Sequence, residues 1–200
     1  GESSRAFVKA LGTAIAAVAP GPMLTAGIHA AFGRGLAAAK AVAGVAVAGA
    51  AAPGDPAKRE AGAHVLAVSG KDFLVQPLLH EEVFGPSTLV VLCRDAAELE
   101  SAIRALGGQL TATIHGTESE VSTHVGLLSL LRDRSGRLLF GGFPTGVEVC
   151  DAMQHGGPWP SSTDARFTSV GTRAILRFVR PAAWQSCSDA LLPEALRSAN

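Results

Sequence analysis

Between Ser87 and Phe140 the sequence alternates in a way few architectures accept. An apolar run, "STLVVLC", is followed by a helical period, then "LTATIHG", a second helical period, and "RLLF". Strand, helix, strand, helix, strand with short connections calls for parallel strands and right-handed crossovers, so the segment predicts an open, mainly parallel α/β sheet with flanking helices. Both helix starts carry capping signals. Asp95 with Glu98 precedes Leu99, Ile103 and Leu106, with Gly107-Gly108 as the stop; Thr117 with Glu120 precedes Val121, Val125, Leu128 and Leu131. Upstream, Phe7, Leu11, Ala14, Ile15 and Val18 share helical spacing before Pro20-Gly21-Pro22. Thr25 caps a second helix whose Ile28, Phe32, Leu36 and Ala39 fall on one face. Residues 42–48 and 64–68 read as short strands around the breaker-rich loop "AAPGDPAKREAG".

Charge and cysteine content narrow the function classes. Seventeen basic residues balance seventeen acidic ones in 200 residues, so no long-range field draws in nucleic acid or an anionic membrane. An apolar share of 48% with 17% charged residues exceeds what a small free domain needs, and predicts surface covered by another chain or by further parts of the same protein. Cys93, Cys150 and Cys187 are too sparse for a disulfide framework, which fits a reducing, cytoplasmic setting. The six histidines show no helix-borne metal spacing, so no metal is expected. The Ala-rich run 36–53 contains Lys40 and reads as helix then strand rather than a membrane span. A start at "GESSR" without Met predicts a longer protein upstream.

After Phe140 the composition turns to loop formers, "GGFPTGVEVCDAMQHGGPWPSSTDARFTSVG". A long irregular stretch after a parallel strand lies at the carboxyl end of a sheet, where open α/β folds bind ligands. Within it, Cys150 and His155 are set against a core reading for the cysteine. Gly141-Gly142 and "GGPWP" shape turns rather than a phosphate cradle. Arg166 is either a carboxylate anchor or an exposed loop charge. Trp159, between two prolines, either walls a pocket or simply packs. Ahead of the first strand, "HEEVFGPS" reads two ways: a solvated turn with Phe84 tucked into the core, or a carboxylate that accepts hydrogen bonds from a ribose beside an aromatic.

Four segments together bring in a family. "EEVFGP" before an apolar strand resembles the Glu-x-Phe-Gly-Pro signature of the aldehyde dehydrogenase superfamily. The run from Phe140 to Gln185, with "APGPMLTAGI" and "LTATIHG", is similar to the carboxyl-terminal part of its 2-oxoglutarate semialdehyde (2,5-dioxovalerate) dehydrogenase branch. Where most of the superfamily has Pro-Phe-Gly-Gly-x-Lys, this chain has Pro158-Trp159-Pro160-Ser161-Ser162-Thr163, a departure that points to the branch. The resemblance implies an enzyme that oxidises an aldehyde to an acid with NADP or NAD. It implies Glu82 as the ligand of the nicotinamide ribose, Phe84 as the aromatic beside the nicotinamide, and Trp159 as an aromatic of the substrate tunnel bordered by Phe143, Pro144, Thr145, Gly146 and Val147. Arg166 as carboxylate anchor is an inference of ours beside the resemblance. The nucleophilic cysteine, the general-base glutamate and most of the cofactor domain are expected upstream, which would leave this chain inactive alone. Residues 1–172 are expected to form part of the catalytic domain and 173–200 a terminal strand arm that builds a homo-oligomer, dimer or tetramer. The rivals are a dehydrogenase of longer-chain (fatty) aldehydes and a non-catalytic oligomerisation module.

Overall fold

In the computed structural model, residues 1–144 and 146–197 are described; Thr145 and 198–200 lie outside them. The elements in order are α1 (Glu2–Ala16), β1 (Gly21–Pro22), α2 (Ala26–Ala41), β2 (Ala46–Ala50), β3 (Glu60–Ala61), β4 (His64–Ser69), α3 (Gly70–Leu74), β5 (Ser87–Leu92), α4 (Ala96–Ala105), β6 (Gln109–Ile114), α5 (Glu118–Ser122), α6 (Val125–Arg134) and β7 (Ser135–Phe140). The mixed α/β class is as expected. The Thr25 hydroxyl accepts from Ile28 N at 3.1 Å and starts α2, which buries Phe32, Leu36 and Ala39. With Leu66 and Val68 of β4, Phe73, Leu79 and Ala102, that face forms the core. Val65, on the opposite pleat of β4, is also fully buried, so this strand is covered on both faces, as its continuous apolar run requires.

The sheet differs from the expected continuous one. β4 and β5 are parallel, β2 joins β4 antiparallel, β6 and β7 form a separate parallel pair, and β1 pairs only with β3. Leu89 and Val91 of β5 and Gln109 of β6 face a shared cavity in place of a ladder. At the start of β6, Gly108 N donates to Trp159 O at 2.9 Å, so that donor goes to a loop carbonyl. α4 connects the two units by packing on α3 and on α6.

Helix faces also depart from the sequence reading. α1 turns Gly12 onto β2, where a Cβ would lie 2.1 Å from Ala48 O, and leaves Phe7 exposed; Val18, beyond the end of the helix, is exposed as well. α4 buries Glu98 and Ala102 while Leu99 is exposed. Thr117 and Glu120 make the full capping box, but the helix they start ends at Ser122; α6 then buries Leu130 and exposes Val125. The expected strand arm 173–200 holds a 3-10 turn, Thr172–Phe178, and then chain without a ladder as far as residue 188. A strand requires a partner edge, and none within the described residues supplies one.

Residues 156–158 cross the starts of β6 and β7 backbone against backbone. A Cβ on Gly136 would lie 1.8 Å from Gly156 O, one on Gly108 2.0 Å from Pro158 O, and one on Gly157 2.6 Å from Gln109 O. Gly157 and its neighbours therefore bring the post-β7 loop back to the amino ends of its own strands.

Candidate active site

The "HEEVFGPS" segment is positioned by its two flanks. A 3-10 turn, Pro77–His80, buries Leu79; His80 Nε2 lies 2.9 Å from Phe73 O, and the two rings meet at a tilt of 51° with centroids 4.5 Å apart. At the far end Pro86 O accepts from His64 N at 2.8 Å, fixing the entry to β5. Gly85 between them has φ +154°, and a Cβ there would sit 2.3 Å from Phe32 Cδ2. Backbone thus lies on the Phe32 ring, and no other residue allows that approach. With the backbone pressed inward the side chains turn out, so Phe84 is 65% exposed rather than tucked into the core. Glu82 is exposed too, with no hydrogen bond or ion pair among the described residues.

Glu82 separates two cavities. One, of about 680 Å³, is lined by Glu82, Phe84, Leu89, Val91 and Gln109. The other, also about 680 Å³, joins Glu82 and His80 to Gly107, Thr111, Pro160 and Ser161. A free carboxylate beside an open aromatic ring suits a ligand that offers hydroxyl donors next to a flat ring, and each volume is in the range of small-molecule sites. The segment precedes its strand, which by the usual rule places it away from a ligand crevice; the glycine crossing returns Pro160 and Ser161 to it. Gln109 and Ser161 were missed in the sequence because only that tertiary crossing brings them here.

The other expected site residues lie elsewhere. Gly141 N donates to Ile114 O at 2.8 Å, and the Phe143 ring sits 5.8 Å from that of His115, beyond the carboxyl end of β6. Phe143, Pro144, Gly146 and Val147 are all exposed there. The start of β6 faces Glu82, so the two groups are separated by the length of a six-residue strand, roughly 20 Å. Trp159 shares the Glu82 end through its carbonyl, but its ring is 74% exposed.

Arg166, expected as an open carboxylate anchor, is already engaged. Its Nε and Nη2 donate to Asp164 Oδ1 and Oδ2 at 2.9 and 2.6 Å, and its backbone N to Oδ1 at 3.0 Å. A carboxylate two residues away reaches the fork at little entropic cost, so it occupies the two donors a substrate would use. Those hydrogen bonds hold the Asp164 carboxyl at about 2 and raise Arg166. The Cys150 and His155 side chains are not joined by any hydrogen bond among the described residues; His155 N instead donates to Thr168 Oγ1 at 2.8 Å. Burial first, then the nearby Glu98 and Asp95 carboxylates, push the Cys93 thiol up. No set of three His, Cys, Asp or Glu side chains that could hold a metal occurs among the described residues, and no helix among them is long and apolar enough to cross a membrane.

No family model matches the chain. Over 189 residues, 94% of its length, it is 43% identical to alpha-ketoglutaric semialdehyde dehydrogenase 2 of Azospirillum brasilense, of which it covers 35%. The chain is similar to aldehyde dehydrogenases along nearly its whole length. A second relative in that family, alpha-ketoglutaric semialdehyde dehydrogenase of Acinetobacter baylyi, is 52% identical over 124 residues, 62% of this chain and 24% of that protein. In fold, lactaldehyde dehydrogenase from Escherichia coli superposes with a TM-score of 0.65 at 23% identity, covering 88% of this chain and 36% of the other. The chain therefore spans about a third or less of the length of these curated aldehyde dehydrogenases.

Proposed function

We propose that the full-length protein is an NAD(P)-dependent aldehyde dehydrogenase that oxidises 2-oxoglutarate semialdehyde to 2-oxoglutarate. The observation that carries the reading is the 43% identity to an alpha-ketoglutaric semialdehyde dehydrogenase along 94% of the chain. When bound, the nicotinamide supplies the acceptor for the hydride that the aldehyde loses. Glu82 accepts hydrogen bonds from the ribose hydroxyls, and Phe84 packs its exposed ring on the flat ring beside them; the free carboxylate and the cavity at Glu82 support both roles. Phe143, Pro144, Gly146 and Val147 border the outer mouth of the aldehyde pocket, and Trp159, nearer Glu82, lines the passage toward the nicotinamide. Residues 1–172 belong to the catalytic domain and 173–200 to an arm that pairs with another copy.

This chain's thiols are not prepared as nucleophiles: Cys93 is held protonated, and Cys150 lacks an imidazole partner among the described residues. The attacking cysteine is assigned to another part of the full-length protein, and the 200-residue chain alone to no turnover. All three thiols are unpaired, in keeping with a cytoplasmic setting.

The decisive experiment measures nicotinamide reduction by full-length protein with the semialdehyde, with unbranched fatty aldehydes, and with Glu82→Gln. The semialdehyde should be preferred. Losing one charge-assisted acceptor should weaken cofactor binding by roughly ten- to a hundredfold. Preference for fatty aldehydes would replace the substrate, an unchanged cofactor KM in E82Q would remove Glu82 from the site, and turnover by the isolated chain would refute the assignment of the nucleophile.

A further inference from the structure

Arg137 is a charged residue inside the apolar run of β7, paired in register with Thr111 of β6. Its Nη1 donates to Gly146 O at 3.3 Å and lies 3.6 Å from Met153 Sδ. One guanidinium thus touches the following loop at two points. From 142 to 149, the Gly146 bond is the hydrogen bond that reaches beyond the loop among the described residues, joined by the Phe143 ring against His115. The Arg137 Nε–H is buried and unpartnered, and none of the ion pairs among the described residues includes this side chain.

A half-buried guanidinium without a counter-ion is costly unless an anion is present for part of its working cycle. Arg166 does not serve here, because Asp164 holds its fork. We propose that Arg137 gives the aldehyde pocket its preference for anionic aldehydes, acting by its unneutralised charge behind Phe143, Pro144, Gly146 and Val147 and by its hold on Gly146. The inference rests on the reading of that loop as the pocket's rim. It makes Arg137 a specificity-determining positioning residue: the charge favours entry of a substrate that carries a carboxylate, and the Nη1 bond sets the loop against which that substrate lies.

The test uses full-length enzyme, wild type, Arg137→Gln and Arg137→Lys, with steady-state kinetics on 2-oxoglutarate semialdehyde and on pentanal. In R137Q the ratio of kcat/KM for the acidic over the neutral aldehyde should fall by roughly tenfold or more, mainly through KM of the acidic substrate. R137K keeps the charge and loses the planar fork, so its ratio should lie between the two. If R137Q does not fold, Arg137→Met, which keeps the apolar stem and removes the charge, decides by the same ratio, and a wild-type ratio in that variant overturns the proposal. Equal losses on both aldehydes in R137Q, with a wild type that prefers the acidic one, also overturn it and mark the charge as paired with another part of the protein. A wild type that oxidises pentanal and ignores the semialdehyde overturns the substrate reading as well.

Discussion

Asp164 and Arg166 show how a neighbour two positions away can settle a side chain's role. The Asp164 carboxyl has an ordinary value near 3.8 and is held at about 2, first by its hydrogen bonds from Arg166. Because the folded value is the lower one, the pair stabilises the fold above pH about 3.8, and that contribution is lost as pH falls through about 2. Arg166→Ala should move the Asp164 midpoint up toward 3.8, as read from the carboxyl carbon shift during an NMR titration. A midpoint that stays near 2 would mean another group holds it. The competitor was visible in "STDARFTS", since an Asp followed two residues later by Arg in a turn is within reach of it. Gly85 was less legible: its place in the motif is plain, but the reason for it is a ring from α2, 53 residues earlier in the chain, beneath its backbone.

At the scale of elements, local signals carried over and faces did not. Asp95 accepts from Glu98 N at 2.8 Å and starts α4, as its spacing predicted. Asp95→Ala should cost about 1 kcal/mol, measured as a lowered urea midpoint with unchanged slope. No change in the midpoint would show that tertiary packing alone holds this terminus. The buried face of α4 was misread because it depends on what lies opposite. Gly70 is close enough that a Cβ there would meet Glu98 Cδ at 2.7 Å. The space over that glycine admits the carboxylate, which also takes Arg94 N at 2.7 Å and Arg94 Nε at 3.0 Å. With Glu98 inside, Leu99 turns to solvent. Periodicity alone favours the leucine; only the partner surface reverses it. The division of the sheet was illegible for the same reason, as it follows from a carbonyl at Trp159, 51 residues beyond the Gly108 donor.

For the whole molecule, the unusual quantity is uncovered apolar surface. Ile175, Leu176, Phe178, Val179 and Trp184 are exposed in a segment without a ladder, alongside Phe7 and Phe140 elsewhere. A patch of this kind marks a surface that another body covers. The proposed arm makes that body a second copy, so deleting 173–200 from the full-length protein should lower its mass in light scattering to a smaller assembly. An unchanged mass would assign this surface to contacts within one protomer. Composition announced the excess at the outset, yet it did not say where the surface lies. That depends on which segments find a partner in the folded chain.

The glycine crossing at 108, 136, 156 and 157 has a consequence for descent. These positions admit no side chain, so in any lineage carrying this fold the loop's return to the Glu82 end is inherited as a unit. Residues 141, 142 and 146 are also glycines with nothing within 4 Å of a Cβ built on them, but φ values of +70° and +71° hold 141 and 142 to glycine by backbone conformation alone. At Gly146 neither limit applies, and mutation can sample freely there. The same connection thus keeps one end constant through divergence and leaves the other open to drift in the molecules it admits.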